Sequence, residues 1–173
     1  MNYKAAIFDL DGTLLDSLED LADSMNSVLE REGFPTHDTD KYKYFVGDGM
    51  KKLVARSLPT EGRQDAYIEQ CLGQLRKEYH QRWNNKTRPY EGIPELLDKL
   101  SSLRMRMAVL SNKPQEFTKV IVDKMLSRWN FEMVLGMRPN VPAKPDPTSA
   151  LEICDTFGIL PKEFLYLGDT NTD

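Results

Sequence analysis

The feature that most constrains this chain is a short apolar run halted by acids near its start: Lys4-Ala5-Ala6-Ile7-Phe8-Asp9-Leu10-Asp11-Gly12-Thr13-Leu14-Leu15. Ala5 to Phe8 is apolar without alternation. That pattern suits a strand buried on both faces, as in a parallel sheet. Asp9 and Asp11 fall where the strand runs out, and Gly12 lets the chain turn. Open α/β sheets place ligand chemistry at the carboxyl ends of their strands. Two acids alone could equally form an ordinary acidic turn, so the rest of the chain has to decide.

After Asp16-Ser17, a plausible helix cap, Leu18, Leu21, Ala22, Met25, Val28 and Leu29 recur at helical spacing until Gly33 and Pro35. A polar stretch leads to Gly47-Asp48-Gly49 and a short helix from about Met50 to Leu58. A longer helix runs roughly from Arg63 to Trp83, with Ile68, Cys71, Leu72, Leu75 and Tyr79 on one face. Residues 17–87 thus read as a helical block. Arg88-Pro89-Tyr90-Glu91-Gly92 reads as a linker.

Alternation of helix and strand then resumes. Helices are expected over Ile93 to Leu103, Gln115 to Trp129, and from Pro147 to Gly158. Strands are expected over Met105 to Leu110, Phe131 to Leu135 and Phe164 to Leu167. The expected fold is α/β, a doubly wound parallel sheet of Rossmann-like type. Residues 1–16 and 88–173 would form the core, and 17–87 a helical insert. A receiver-type flavodoxin-like domain is the alternative, and the insert counts against it.

The 173 residues, 40% of them hydrophobic, suffice for a packed core, and a net charge of -4 offers nothing for nucleic acid or an anionic membrane to grip. Cys71 and Cys154 lie in helical apolar patterns and give no disulfide framework. No apolar run approaches the ~20 residues of a membrane span. A cytoplasmic protein is expected.

Four strand ends carry polar signatures: Asp9 and Asp11; Ser111-Asn112; the loop holding Lys144; and Gly168-Asp169 through Asp173. Each has a plain alternative, such as a helix cap, a solvated lysine or a turn. Their occurrence together at one sheet edge is harder to obtain by accident. Crowded carboxylates repel one another and need a cation to stay ionised. Oxygen ligands in an open site favour Mg²⁺.

Together these residues resemble the motifs of the haloacid dehalogenase superfamily, in its phosphoglycolate phosphatase-like group. The resemblance implies that Asp9 is the nucleophile and Asp11 the general acid/base, whose backbone carbonyl also helps to bind Mg²⁺. It implies that Lys144 stabilises nucleophile and phosphate, that Thr13, Ser111 and Asn112 contact substrate, and that Asp169 is a metal ligand with Asp173 in support. An acid at Asp11 favours phosphoryl transfer over dehalogenation, because a halide leaves without protonation.

Residues 17–87 would be the family's mobile cap. Gly47 and Gly49, ahead of a cap helix, could offer backbone N–H groups to an anionic substrate, with Lys52 and Arg56 nearby. Family members commonly continue past the last motif with a further helix and strand. On that expectation part of the core is absent, Phe164 to Leu167 forms an edge, and Asp173 is frayed.

The expected activity is Mg²⁺-dependent hydrolysis of a small phosphorylated metabolite, 2-phosphoglycolate first. A β-phosphoglucomutase-like phosphomutase, a pyrophosphatase and a non-catalytic metabolite-binding protein stay open as alternatives. Oligomeric state is not legible.

Overall fold

A computed structural model describes residues 3–173. The chain divides into two compact units, Met1–Asp16 with Pro89–Asp173, and Ser17–Arg88. Among the described residues the first elements are β1 (Ala5–Phe8), β2 (Leu15–Asp16), α1 (Leu18–Arg31), α2 (Thr39–Tyr42), α3 (Met50–Ser57) and α4 (Asp65–Arg82). Then come β3 (Arg88–Pro89), α5 (Ile93–Ser102), β4 (Arg106–Pro114), α6 (Gln115–Met125), β5 (Met133–Met137), α7 (Thr148–Phe157) and β6 (Phe164–Leu167).

In the first unit, four strands form a parallel sheet in the order β5-β4-β1-β6. The α/β fold expected from the sequence is therefore present. All four residues of β1 are buried, which is why the run has no polar alternation. Its register sets Ile7 beside Ala108 on one side and Tyr166 on the other. Ala5, Ile7, Ala108 and Leu110 pack on one face with Ile153 and Phe157 of α7. Phe8 has the opposite parity and meets the Phe131 ring edge-on at 6.3 Å.

Three boundaries differ from the sequence reading. α6 stops at Met125 rather than Trp129, because the Trp129 indole N–H is drawn 2.8 Å to the Asp98 carboxylate on α5. β4 runs on through Ser111, Asn112 and Lys113 to Pro114, with a register shift after Leu110. β5 begins at Met133 and reaches Met137. Gly136 permits this close pairing: a Cβ there would lie 2.6 Å from the Lys113 carbonyl oxygen and 2.5 Å from Thr118 Oγ1. The stretch after Pro35, read as merely polar, contains α2.

The second unit is helical. α1 packs on α4 and α2, and α3 packs on α4. Leu21, Ala22, Met25, Val28 and Leu29 of α1 and Ile68, Cys71, Leu72, Leu75 and Tyr79 of α4 are the buried positions, the stripes that the spacing predicts. One charge is buried beneath them. Asp20 accepts the backbone N–H of Lys86 at 3.0 Å, and the N–H and hydroxyl of Thr87 at 2.8 and 2.7 Å. This carboxylate ties the last residues of the unit to its first helix.

Replacing Asp20 with Ala leaves two backbone donors and a hydroxyl in a buried place without an acceptor. Asp20→Ala is expected to cost about 2–4 kcal/mol of stability. Urea unfolding followed by circular dichroism measures it, and a loss below about 0.5 kcal/mol contradicts the role given to Asp20.

Candidate active site

The site is assembled at the carboxyl ends of β1, β4 and β6. The Asp9 N–H donates 2.9 Å to the Leu167 carbonyl, which fixes the first acid beside the last residue of β6. The chain then turns tightly. Leu14 and Leu15 both donate to the Leu10 carbonyl, and Gly12 donates to that of Leu15. Gly12 has φ +86°, a conformation open to glycine. A Cβ at Gly12 would also run into the Asp169 carboxylate. The glycine is required twice, once by the turn and once by the neighbour.

Asp9 is buried, and Lys144 Nζ lies 2.8 Å from its Oδ1. This is an ion-pair approach outside hydrogen-bond geometry, so that buried oxygen has a charged neighbour without a hydrogen bond. Burial pushes the Asp9 pKa up to about 6, and the Asp11 and Asp173 charges push the same way. Lys144 pulls it down but does not prevail.

Burial also works against the Lys144 ammonium. The Asp9 carboxylate and its other neighbours outweigh that and hold its pKa above the ordinary lysine value. The same Nζ donates 2.5 Å to Asp173 Oδ1. The Asp173 Oδ2 accepts the N–H and hydroxyl of Thr170, both at 3.0 Å. Asp173, expected to be frayed, is instead held from two sides. Gly168 makes room for it, since a Cβ there would strike the Asp173 side chain.

Asn112 does not turn its amide to open solvent. It donates 3.1 Å to the Lys144 carbonyl and accepts the Lys144 N–H at 2.9 Å. Its visible task is to hold the backbone of Lys144. Thr13 likewise spends its hydroxyl on Asp169, at 3.1 Å. Burial raises the Asp169 pKa, and that hydrogen bond opposes the rise. Ser111 is buried at the end of β4, and its Oγ accepts the Lys113 N–H at 3.2 Å, which leaves the hydroxyl proton to donate.

The sequence reading passed over Lys113. Its ammonium lies 2.9 Å from each carboxylate oxygen of Asp11, and its side chain is only 2% exposed. The signal was available in Leu110-Ser111-Asn112-Lys113-Pro114: if the strand runs on past Leu110, the lysine falls at the sheet edge beside the acids. Gly47 and Gly49 lie in the helical unit. Both have positive φ, and Gly49 stands just before α3. Asp48 between them pairs with Arg56, and with Lys52 at 3.4 Å.

Asp9, Asp169 and Asp173 each offer a carboxylate oxygen, and these atoms lie within 4.8 Å of one another. The spacing suits hard oxygen ligands about 2.1 Å from a Mg²⁺ ion. The charge balance agrees. Among the described residues, Lys144 pairs with Asp9 and Asp173 and Lys113 with Asp11, while burial, with the Asp11 and Asp173 charges, holds the Asp9 pKa up. The Asp11 carboxylate is turned to Lys113 and is not in this trio, so a metal role for Asp11 rests on its backbone carbonyl. Among the described residues no helix is long and apolar enough to cross a membrane.

The family model for haloacid dehalogenase-like hydrolase matches residues 6–173. The phosphoglycolate phosphatase of Thiobacillus denitrificans is 31% identical over 173 residues, covering 98% of this chain and 76% of that protein. That of Aquifex aeolicus is 32% identical over 170 residues, covering 98% and 78%. A solved structure from Lactobacillus delbrueckii subsp. bulgaricus, itself only predicted to be a phosphoglycolate phosphatase, superposes with a TM-score of 0.92 at 28% identity. It covers 100% of this chain and 81% of that one. The chain belongs to the haloacid dehalogenase-like hydrolase family and is similar to its phosphoglycolate phosphatases.

Proposed function

We propose that the protein is a Mg²⁺-dependent phosphomonoesterase acting on small phosphorylated metabolites, with 2-phosphoglycolate as the first substrate to test. The observation that carries this reading is the buried Asp9, set beside Lys144 and grouped with two further acids whose carboxylate oxygens lie within 4.8 Å of one another.

Asp9, Asp169 and Asp173 would hold the metal, with the Asp11 carbonyl. When bound, Mg²⁺ would supply charge neutralisation that keeps the Asp9, Asp169 and Asp173 carboxylates ionised and offsets the charge of an anionic substrate. An Asp9 carboxylate oxygen attacks phosphorus, and the bond from phosphorus to the leaving oxygen breaks. Asp11 gives its proton to that oxygen, so the alcohol departs neutral and Asp9 carries the phosphoryl group. Water then attacks phosphorus while Asp11 takes a proton from it. Inorganic phosphate leaves and both acids are restored.

Lys144 offsets charge on Asp9 and on the phosphoryl oxygens, and Asn112 keeps it in place. Ser111 donates its hydroxyl to a phosphoryl oxygen. Thr13 serves by orienting Asp169. The phosphatases named above support 2-phosphoglycolate as the substrate.

Phosphate release from 2-phosphoglycolate, a hexose phosphate, pyrophosphate and 4-nitrophenyl phosphate tests the reading. Release is expected with Mg²⁺ and not with a chelator, and Asp9→Asn is expected to lower kcat by about 10⁴-fold or more. Turnover that survives either the chelator or Asp9→Asn overturns it. Isomerisation of the hexose phosphate without net phosphate release points to a phosphomutase.

Metal binding has its own signature. The pKa of Asp9 lies above that of an unfolded aspartate, so ionising it costs the metal-free fold stability as pH rises from about 4 through 6. Mg²⁺ should reverse that cost only where Asp9 is ionised. The Tm gain on adding Mg²⁺ is therefore expected to be large at about pH 8, small at about pH 5, and mostly lost in Asp169→Asn. Equal gains at both pH values contradict the metal assignment.

A further inference from the structure

Lys113 lies near the end of β4, and its ammonium is buried. A lysine is seldom placed so without a task or a partner. Its backbone is fixed on three sides. The N–H donates to Ser111 Oγ, the carbonyl accepts the Thr118 hydroxyl at 3.2 Å, and Gly136 allows β5 to close on it. From that anchor the side chain reaches both oxygens of Asp11 at 2.9 Å. An ammonium equidistant from both oxygens of a carboxylate acts as a point charge that fixes where the carboxylate points. The Asp11 side chain is 23% exposed, so it faces the open edge while its partner stays beneath.

We infer that Lys113 is a positioning residue, holding the Asp11 carboxylate in the orientation from which it exchanges a proton with the leaving oxygen. The inference rests on the reading of Asp11 as the general acid. A cation that merely stabilised the fold would affect all substrates alike. One that positions an acid matters most where the leaving group needs a proton. An alkyl alcohol leaves poorly as its anion, whereas 4-nitrophenolate leaves well unprotonated. The ratio kcat/KM reports the step in which that group departs.

The experiment compares kcat/KM for an alkyl phosphate and for 4-nitrophenyl phosphate in the full chain with Mg²⁺. Lys113→Met is expected to lose about 10²-fold on the alkyl substrate, and at least roughly tenfold less on the aryl one. Asp11→Asn should discriminate in the same direction. In the double variant Asp11→Asn/Lys113→Met, adding the lysine change should alter the alkyl value less than about threefold, because nothing remains to position. The double variant also has no uncompensated carboxylate at this place, so it reports even if Lys113→Met does not fold.

Equal losses on both substrates in Lys113→Met, or a further large loss in the double variant, overturn the proposal and leave Lys113 with a structural or direct substrate role. If Asp11→Asn itself treats the two substrates alike, the acid reading of Asp11 fails and the Lys113 proposal falls with it. If Asp11→Asn discriminates and Lys113→Met does not, only the Lys113 proposal fails.

Discussion

Four carboxylates gathered at one sheet edge around two lysines are the constraint on which the rest of this site depends. Asp9, Asp11, Asp169 and Asp173 cannot all be ionised in a partly buried place without positive charge close by. Lys144 reaches two of them and Lys113 a third. The surrounding structure serves these pairings. Asn112 fixes the backbone of Lys144, Thr170 fixes the second oxygen of Asp173, and Thr13 fixes Asp169. Gly12, Gly136 and Gly168 each stand where a side chain would collide with part of this assembly. The arrangement still leaves Asp9 with a raised pKa. Burial is the main cause, and a divalent cation at these acids would favour ionised Asp9 and offset the charge of an anionic phosphoryl group.

The parallel sheet follows from local signals that agree with one another. Ala5 to Phe8 suits a strand covered on both faces, and all four residues are buried in β1. The helical stripes of α1 and α4 were long enough to be unambiguous. Signals were weaker where tertiary contacts decide. Leu126 and Trp129 extend the periodicity of α6, but the indole N–H finds Asp98 and the helix ends first. Ser111-Asn112-Lys113 has no β-propensity to speak of. It stays extended because Gly136 allows the neighbouring strand to approach.

The same distinction applies to the site. Asp9, Ser111, Lys144, Asp169 and Asp173 were legible as strand-end residues, and the structure brings Asp9, Lys144 and Asp173 into direct contact and Asp169 beside them. What each partner does was not legible. Asn112 and Thr13 read as substrate contacts, yet their side chains are occupied with Lys144 and Asp169. Lys113 is easily passed over, because an isolated lysine ordinarily points to water and its signal counts only if β4 runs on past Leu110. Only the three-dimensional course of β4 places it against Asp11. Sequence spacing thus located the acids well, and located the groups that hold them poorly, because the partner that a hydroxyl, amide or ammonium meets is decided by the fold and not by spacing along the chain.

If Asp9 is the nucleophile, it becomes covalently phosphorylated during turnover. That is tested most directly by acid-quenching the enzyme early in the reaction of 2-phosphoglycolate with Mg²⁺ and mapping peptides by mass spectrometry. One added phosphoryl group is expected on the peptide containing Asp9, absent when a chelator replaces Mg²⁺. A phosphoryl group on another residue, or rapid phosphate release with none on the protein, would contradict it.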